Sequence, residues 1–409
     1  MIESPDEQTN TFDFTCEYSS NLPELLSALN ISIAFTSYQA GRLMVVRSDE
    51  KSIDVNYKNF PRPMGLCSTE SGLTLGTFAQ IINFHRADNL IDQLKAPLPS
   101  IQDDITAPRI HPKEQEGGDS AGALEVMSEL DSEQEERHSE QLRLQQERQK
   151  KLHEGVDPRV DSCFITRSSH YTGMINLHDI DWGDEGLWVV NSSFSCLCTL
   201  DPDYSFVPRW KPHFITALVP EDRCHLNGMT LKDGKPAYVT TFSTFDEPGL
   251  WRKGDKFNGT LMSVDGNEIL IRNLVMPHSP RFYQDSVYYC NSGLGLFCKY
   301  NPRTGDEEII AELQGFTRGV DFYGSLAFVG LSKVRAGNVL HAPPLATKYD
   351  ETFSGIWLID LSTNSTIGYI KFTGNVDQIY DIAVIPNCKF PEILEPSHPR
   401  MRNHFCIPL

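Results

Sequence analysis

A repeated phrase is the most constraining feature of this sequence. A polar residue, an apolar strand, a Gly/Asp turn and a second strand ending in Asn, Ser or Thr return every 40 to 53 residues. The spacings between His178, His225, His278 and Arg318 are 47, 53 and 40 residues. These are the lengths of one four-stranded blade of a β-propeller. Two longer gaps must hold insertions, and six copies remain, so the sequence predicts an all-β, six-bladed β-propeller.

The two ends of the chain are predicted to share the last blade. The sixth copy of the repeat stops after one strand, residues 380–386, and the Pro-rich residues that follow show no further strand signal. Three strand-like runs near the N-terminus, 33–37, 41–46 and 53–57, supply the missing strands. A last blade closed by N-terminal strands completes the ring and leaves few exposed sheet edges.

A change of composition marks a polar, acidic insertion in the first blade. Residues 103–154 hold 14 acidic and 7 basic residues and no continuous apolar stripe. Such a segment cannot bury enough apolar surface to fold alone, although i,i+4 charge pairs could make it helical. We therefore expect a flexible segment over 1–21, a single propeller over 22–96 and 159–387, a disordered or helical acidic insertion over 97–158, and a C-terminal tail over 388–409.

Charge and cysteine usage limit the partners and the compartment. The formal net charge of −19 disfavours nucleic acid, because phosphate binding requires a basic surface. No run approaches the roughly 18 to 20 apolar residues of a membrane-spanning helix, and the first ten residues lack the apolar core of a signal peptide. The ten cysteines show no paired framework, which is typical of free thiols in a reducing compartment. We expect a cytoplasmic monomer whose insertion is either a solvated loop or a docking segment for a protein partner.

Equivalent positions of different blades become neighbours around the central axis of a propeller. His178, His225 and His278 are predicted to begin the inner strands of three successive blades, and Asn227 falls near the same level. Imidazole and carboxamide groups are competent ligands for a divalent metal ion. A metal ion held there could lower the pKa of a bound water or polarise a carbonyl group. The sequence therefore predicts a divalent metal site formed by these four residues.

Three further polar residues complete the predicted centre. Arg318 could hold a substrate carboxylate or an oxyanion, and Asp179 and Tyr380 fall at or near its level. Together they predict a metal-dependent enzyme that hydrolyses a small anionic, ester or lactone substrate, with oxidation left open. The alternative is a non-catalytic scaffold that binds a protein or a small ligand on its central face.

The register of the three histidines is imperfect. Alignment of the repeated phrases superposes His225 on His278 but places His178 one residue later. A shift of one residue turns a strand side chain to the other face of its sheet. A structural role therefore stays open, in which these residues satisfy buried backbone groups of neighbouring blades.

Several phrases carry a resemblance to known proteins. Residues 225–228 (HLNG), 276–281 (MPHSPR) and 316–319 (FTRG) resemble an uncharacterised β-propeller family that is best represented in bacteria. The resemblance extends from about residue 22 to 386 without the insertion, and it implies the fold but no activity.

The blade phrases are more distantly similar to six-bladed propellers of the gluconolactonase and strictosidine-synthase type. In that group a central metal and an Asn-Gly turn like Asn227-Gly228 serve ester or lactone hydrolysis. This chain has Arg62-Pro63-Met64 where that group has a glutamate ligand. Three histidines also suggest a softer metal than calcium.

Overall fold

The computed structural model describes residues 12–96, 143, 156–253, 256–334 and 343–402. The described strands form six sheets, arranged around a central axis as the blades of a six-bladed β-propeller. The fold class predicted from the repeat is therefore confirmed. We number the blades 1 to 6 in the order in which their inner strands occur along the chain.

The N-terminal part of the described chain supplies an edge strand, a helix and three strands of blade 6. The helix carries Pro23 in its first turn, where proline is pre-organised for helical geometry, and it ends at Asn30 in the left-handed conformation. The elements are β1 (Cys16–Tyr18), α1 (Leu22–Leu29), β2 (Ile31–Ser37), β3 (Arg42–Ser48) and β4 (Ile53–Asn59).

Blade 1 follows, and its third and fourth strands flank the insertion. The described chain stops at Ala96 and resumes at Val156 apart from Arg143, so the predicted insertion over 97–158 lies almost entirely outside the described residues. The elements are β5 (Leu66–Thr69), β6 (Gly72–Gly76), β7 (Gln80–Arg86), α2 (Ile91–Lys95) and β8 (Ser162–Tyr171).

Blades 2, 3 and 4 are four-stranded antiparallel sheets, each from one stretch of chain whose first strand lies innermost. Blade 2 contains β9 (Leu177–Gly183), β10 (Gly186–Asn191), β11 (Cys196–Asp201) and β12 (Tyr204–Trp210). Blade 3 contains β13 (Leu226–Lys232), β14 (Lys235–Thr241), β15 (Gly259–Ser263) and β16 (Glu268–Leu274). Blade 4 contains β17 (Pro277–Tyr283), β18 (Ser286–Asn291), β19 (Leu296–Tyr300) and β20 (Glu307–Glu312).

Blade 5 and the two strands that follow it complete the ring. In β25 residues 382–386 pair antiparallel with residues 31–35 of β2, so the closure of blade 6 by N-terminal strands is confirmed. The elements are β21 (Phe316–Tyr323), β22 (Leu326–Ser332), α3 (Leu345–Lys348), β23 (Ser354–Asp360), β24 (Ser365–Phe372), β25 (Ile382–Pro386) and β26 (Pro391–Leu394).

Both described chain ends enter the sheets further than the sequence predicted. Strand β1 lies in the expected flexible segment 1–21, yet it pairs with β24 as a fifth strand of blade 5. Strand β26 lies in the expected tail 388–409, yet it pairs in parallel with β8 at the outer edge of blade 1. These strands have three and four residues, too few to show a periodic pattern. Their pairing covers the outer edges of two blades.

Apolar side chains fill the spaces between adjacent blades. Between blades 5 and 6, for example, the rings of Phe35 and Phe372 lie 5.3 Å apart and are fully or almost fully buried. Burial of one such side chain contributes about 1.5–3 kcal/mol. This packing holds the six innermost strands in fixed positions around the axis. The nine cysteines of the described ranges are all free thiols, and none of the described helices is long and apolar enough to cross a membrane.

A candidate site at the mouth of the central channel

A β-bulge interrupts the innermost strand of four successive blades at the same height. In blade 2, His178 and Asp179 together face the single residue Val190. A bulge inserts one extra residue into a strand and re-aims the side chains beside it. Equivalent irregularities occur in blades 3, 4 and 5 at residues 226–228, 278–281 and 317–320.

Five predicted site residues lie at one level of the ring. His178, Asn227, His278, Arg318 and Tyr380 occupy equivalent positions in blades 2 to 6 and line a common cleft. The volume open to the centre of a water molecule is about 10 Å³, which is room for about one ordered water. The cleft is completed by the next residue of three of these strands, namely Asp179, Ser279 and Asp381.

The histidine that departs from the ring is His225, not His178. His225 precedes β13 and has a left-handed φ of 51°. Its ring stacks on Trp251 at 3.9 Å and meets the ring of His178 edge to face at 4.6 Å. The predicted alignment of His225 with His278 was therefore wrong. The strand pairings make Asn227, two residues after His225, the equivalent of His178 and His278, and the sequence does not mark this offset.

Hydrogen bonds on the outer side fix the two imidazoles of the ring. His178 Nδ1 lies 2.7 Å from the carbonyl oxygen of Asn176 and 2.7 Å from Ser192 Oγ. His278 makes the equivalent contacts, at 2.9 Å each, with the matching residues of blade 4. A carbonyl oxygen only accepts hydrogen bonds, so Nδ1 carries the proton and donates it outward. The opposite nitrogen, Nε2, then keeps a lone pair on the cleft side.

His225 is fixed by a carboxylate instead. Its Nδ1 lies 2.9 and 3.1 Å from Oδ1 and Oδ2 of Asp222, and Oδ2 also accepts from Arg252 Nη2 at 2.7 Å. All three predicted metal-binding histidines therefore use Nδ1 for outer contacts.

The histidines of the ring are neutral at neutral pH. Burial lowers the pKa of His178 and of His278 well below the usual 6.5. The positive charge of Arg318 lowers both pKa values further. Each imidazole is therefore a hydrogen-bond acceptor and a potential base at Nε2.

Hydrogen-bond donors line the rest of the cleft. The Arg318 guanidinium lies 3.7 Å from the ring centroid of Tyr380 and 5.5 Å from that of Tyr38. Among the described residues, neither the buried Nε of Arg318 nor the buried Nδ2 of Asn227 has a hydrogen-bond partner. Burial raises the pKa of Tyr380 above its usual value of 10, so its side chain stays a neutral phenol.

A buried ion-pair network closes the channel below the cleft. Arg281 Nη1 lies 2.8 Å from Asp179 Oδ2, and Arg281 Nη2 lies 3.2 Å from Asp381 Oδ1. The same carboxylates accept hydrogen bonds across blade borders at 3.0 Å, Asp179 from the N–H of Met229 and Asp381 from the N–H of Leu66. Asp179 Oδ1 also accepts from Arg281 Nη2 at 3.3 Å, so both oxygens of Asp179 are engaged in contacts that join blades. Its predicted catalytic role stays a prediction.

The predicted metal set is brought together only in part. His178, His278 and Asn227 share the cleft, whereas His225 lies beside it against Trp251. Within the part of the chain that the structure describes, no three His, Cys, Asp or Glu side chains are grouped so that they could hold a metal ion. The cleft therefore contains two imidazoles and one carboxamide of the four predicted metal ligands.

Two parts of the site had no signal in the repeat. Trp251 belongs to the connection between β14 and β15, outside the repeated phrase, yet it stacks on His225. Phe242 lies between the rings of His225 and His278, at 4.6 and 5.1 Å. Phe242 and Trp251 lie in the sequence between two copies of the repeat, and no other sequence feature indicates that they contact the histidines.

Comparison with known proteins identifies a family but no activity. The model of a family described as a domain of unknown function (DUF4915) matches residues 20–111 and 132–394. A chain in the crystal structure of a nidogen/laminin complex is 11% identical, with a TM-score of 0.48 over 88% of this chain and 99% of that chain. The computationally designed protein Ika8 is 7% identical, with a TM-score of 0.33 over 85% and 76% of the two chains. No curated protein matches the sequence.

Proposed function

The chain belongs to the DUF4915 family, whose function is unknown, and we propose that the protein binds a small anionic ligand at the channel mouth. The proposal rests on the geometry of the site. One observation carries the proposal: two buried donors without a described partner, Arg318 Nε and Asn227 Nδ2, line the same cleft. A buried donor left unpaired costs about 1–3 kcal/mol. A carboxylate that accepts from both would recover this cost, and a guanidinium is the preferred partner of a carboxylate.

The histidines define the other end of the ligand. His178 and His278 are neutral, and their Nδ1 protons are committed to outer acceptors. Their Nε2 atoms would therefore accept a hydrogen bond from a hydroxyl group, an amine or a water molecule. A small hydroxy acid satisfies both ends of the cleft, because its carboxylate faces Arg318 and its hydroxyl group faces an imidazole.

The same arrangement supports hydrolysis of an ester or a lactone. One histidine would take a proton from a water molecule as a general base. Arg318, with the neutral phenol of Tyr380 beside it, would stabilise the developing oxyanion. Because the cleft has room for about one water, a ligand of several heavy atoms, a small hydroxy acid included, would need Arg318 or Tyr380 to move.

A divalent metal ion is the second candidate for this centre. Metal-binding histidines usually donate their other ring N–H to a carbonyl or a carboxylate, and His178, His225 and His278 all make such contacts. His178 and His278 would hold the ion, with Asn227 assisting. When bound, the ion would supply a Lewis acid.

Isothermal titration of the purified protein with acetate, L-lactate and oxalate tests the anion site. We expect saturable binding, with lactate preferred over acetate because of its hydroxyl group. Arg318→Gln should weaken binding about tenfold or more. Arg303→Gln, which changes an exposed arginine of blade 4, is the matched control. Unchanged affinity in Arg318→Gln would overturn the proposal.

Two further measurements separate the enzyme from the scaffold. Hydrolysis of p-nitrophenyl acetate or δ-valerolactone that is lost in His278→Gln supports the enzyme, and anion binding without turnover supports a binding propeller. Metal analysis decides the second candidate. Near-stoichiometric zinc that is lost in both His178→Gln and His278→Gln supports a metal enzyme, whereas metal-free protein of full activity excludes it.

A further inference from the structure

A second cavity lies at the opposite end of the inner strands from the channel mouth. It is formed by the turn between β5 and β6, by the faces of β7 and β8, and by Trp182 at the end of β9. The volume open to the centre of a water-sized molecule is about 500 Å³, compared with about 10 Å³ in the cleft. This lies within the range of about 300–1,000 Å³ that is typical of small-molecule sites.

A chain of hydrogen bonds forms the floor of this groove. Trp182 Nε1–H donates to Thr74 Oγ1 at 2.9 Å, and the Thr74 hydroxyl donates to Asn83 Oδ1 at 3.0 Å. Asn83 Nδ2–H then donates to Ser168 Oγ at 3.0 Å. The chain crosses four strands and fixes four polar side chains. Ser168 keeps its own hydroxyl proton for a ligand, and Asn83 keeps its second N–H.

A β-bulge aims a positive charge into the same groove. Asn83 pairs with Ser168 whereas Phe84 pairs with Thr166, so Arg167 is an extra residue in β8. Consecutive strand residues normally face opposite sides of a sheet, but here Arg167 and Ser168 line one cavity. Arg167 is exposed and has no ion pair or side-chain hydrogen bond with any described residue. Its guanidinium is therefore available to a ligand.

An aromatic wall stands beside this floor. Trp182 is 44% exposed. Its Nε1–H is held by Thr74 on the floor, and its partly exposed indole lines the groove. An apolar ring face beside fixed hydroxyl and amide groups suits a ligand with an apolar face and a polar rim.

We propose that this groove is a second ligand site, which takes a saccharide with a carboxylate group. The C–H face of a pyranose ring would lie on Trp182, and its hydroxyl groups would bond to Asn83 and Ser168. Arg167 would bind the carboxylate as a charge-assisted, two-pronged pair. One unpaired arginine on a chain of net charge −19 suits a ligand with a single negative charge better than a polyanion.

Calorimetric titration of the full chain with D-glucuronate, D-glucose and acetate tests this site. We expect D-glucuronate to bind at millimolar concentration or below, and D-glucose to bind about tenfold or more weakly. Arg167→Gln should remove this preference and leave D-glucose unchanged. Trp182→Ala should weaken both sugars, and Trp182→Phe should retain part of the binding because an aromatic face remains.

Three controls separate this site from folding defects and from the channel mouth. Arg303→Gln and Ile309→Ala change exposed side chains of blade 4, and both variants should bind D-glucuronate like the unmodified protein. Arg318→Gln should also retain it, because the channel mouth is a different site. In Arg318→Gln, where the channel mouth is impaired, absence of saturable D-glucuronate binding or equal binding of acetate would overturn the proposal. Full D-glucuronate affinity in Arg167→Gln with a native thermal transition would also overturn it.

Discussion

Arg281 and Asp179 form a buried ion pair across the central channel, with Arg281 Nη1 2.8 Å from Asp179 Oδ2. Their side chains come from blades 4 and 2, and Arg281 also reaches Asp381 of blade 6 at 3.2 Å. Arg281 further donates to the backbone carbonyls of Met229 and Val320, in blades 3 and 5, at 3.1 Å each. One guanidinium therefore contacts the four other blades that face it below the cleft.

Arg281→Met should destabilise the protein by about 3–5 kcal/mol, because it leaves Asp179 and Asp381 buried without their cation. The midpoint of urea unfolding, together with its slope, measures this loss. Arg303→Gln serves as the control, because Arg303 and its partner Asp285 are both largely exposed. This variant should change the free energy of unfolding by less than about 1 kcal/mol. Equal effects of the two variants would contradict a role for Arg281 in joining the blades.

Asp181→Asn should stabilise the protein at pH 8. Burial raises the pKa of Asp181 from 3.8 to about 6, so the folded protein holds this proton more tightly than the unfolded chain. The resulting stabilisation is complete below pH 3.8 and is lost as the pH rises through about 6. Asparagine removes the charge, and we expect a gain of about 1–2 kcal/mol at pH 8, since Asp181 retains some contact with solvent. The gain should vanish at pH 4, and a constant difference at both pH values would contradict the burial effect.

His278→Gln should reduce the loss of stability in mild acid. Burial lowers the pKa of His278 well below 6.5. Below pH 6.5 this histidine is therefore protonated in the unfolded chain but not in the folded protein. Stability is therefore lost as the pH falls, by about 1.4 kcal/mol for this histidine between pH 7.5 and 5.5. Unfolding free energies of the variant and the unmodified protein at these two pH values give the difference directly. An unchanged pH dependence in His278→Gln would contradict the burial effect.

Gly228→Ala should destabilise the protein by about 1–3 kcal/mol through overpacking. A Cβ atom there would lie 2.4 Å from Cδ of Pro280, in the neighbouring blade. The bulge in β13 brings this backbone close to β17, and the rigid proline ring cannot yield as a flexible side chain would. Gly266→Ala is the matched control, because its Cβ would meet only side-chain atoms of Glu268 at 3.3 Å or more. Melting temperatures of the two variants test the contrast.

Much of the fold could be predicted because blade periodicity is a local property. The spacings of 47, 53 and 40 residues predict the blades, and the solitary strand after Tyr380 predicts closure by N-terminal strands. The short edge strands Cys16–Tyr18 and Pro391–Leu394 were not predicted, because they form only by pairing with strands far away in the sequence.

The candidate site could be predicted as a set of residues but not as an arrangement. His178, His278, Asn227, Arg318 and Tyr380 share one cleft, as their places in the repeat indicated. The relation between His178 and His225 was inverted, because only the strand pairing shows that Asn227, rather than His225, is the equivalent of His278. Arg167 and Trp182 drew no functional prediction, since one faces the groove through a bulge and the other through a contact with a neighbouring blade.

The sequence by itself determined the number of blades, their closure by both chain ends and the polar residues available near the axis. These follow from apolar periodicity and turn residues within each repeat. Only the tertiary structure decided which of those residues meet, which imidazole nitrogens are free, and that a groove lies between blades 1 and 2. The physical reason is that one extra residue in a strand reverses the direction of a side chain, and its position depends on how the neighbouring blades pack.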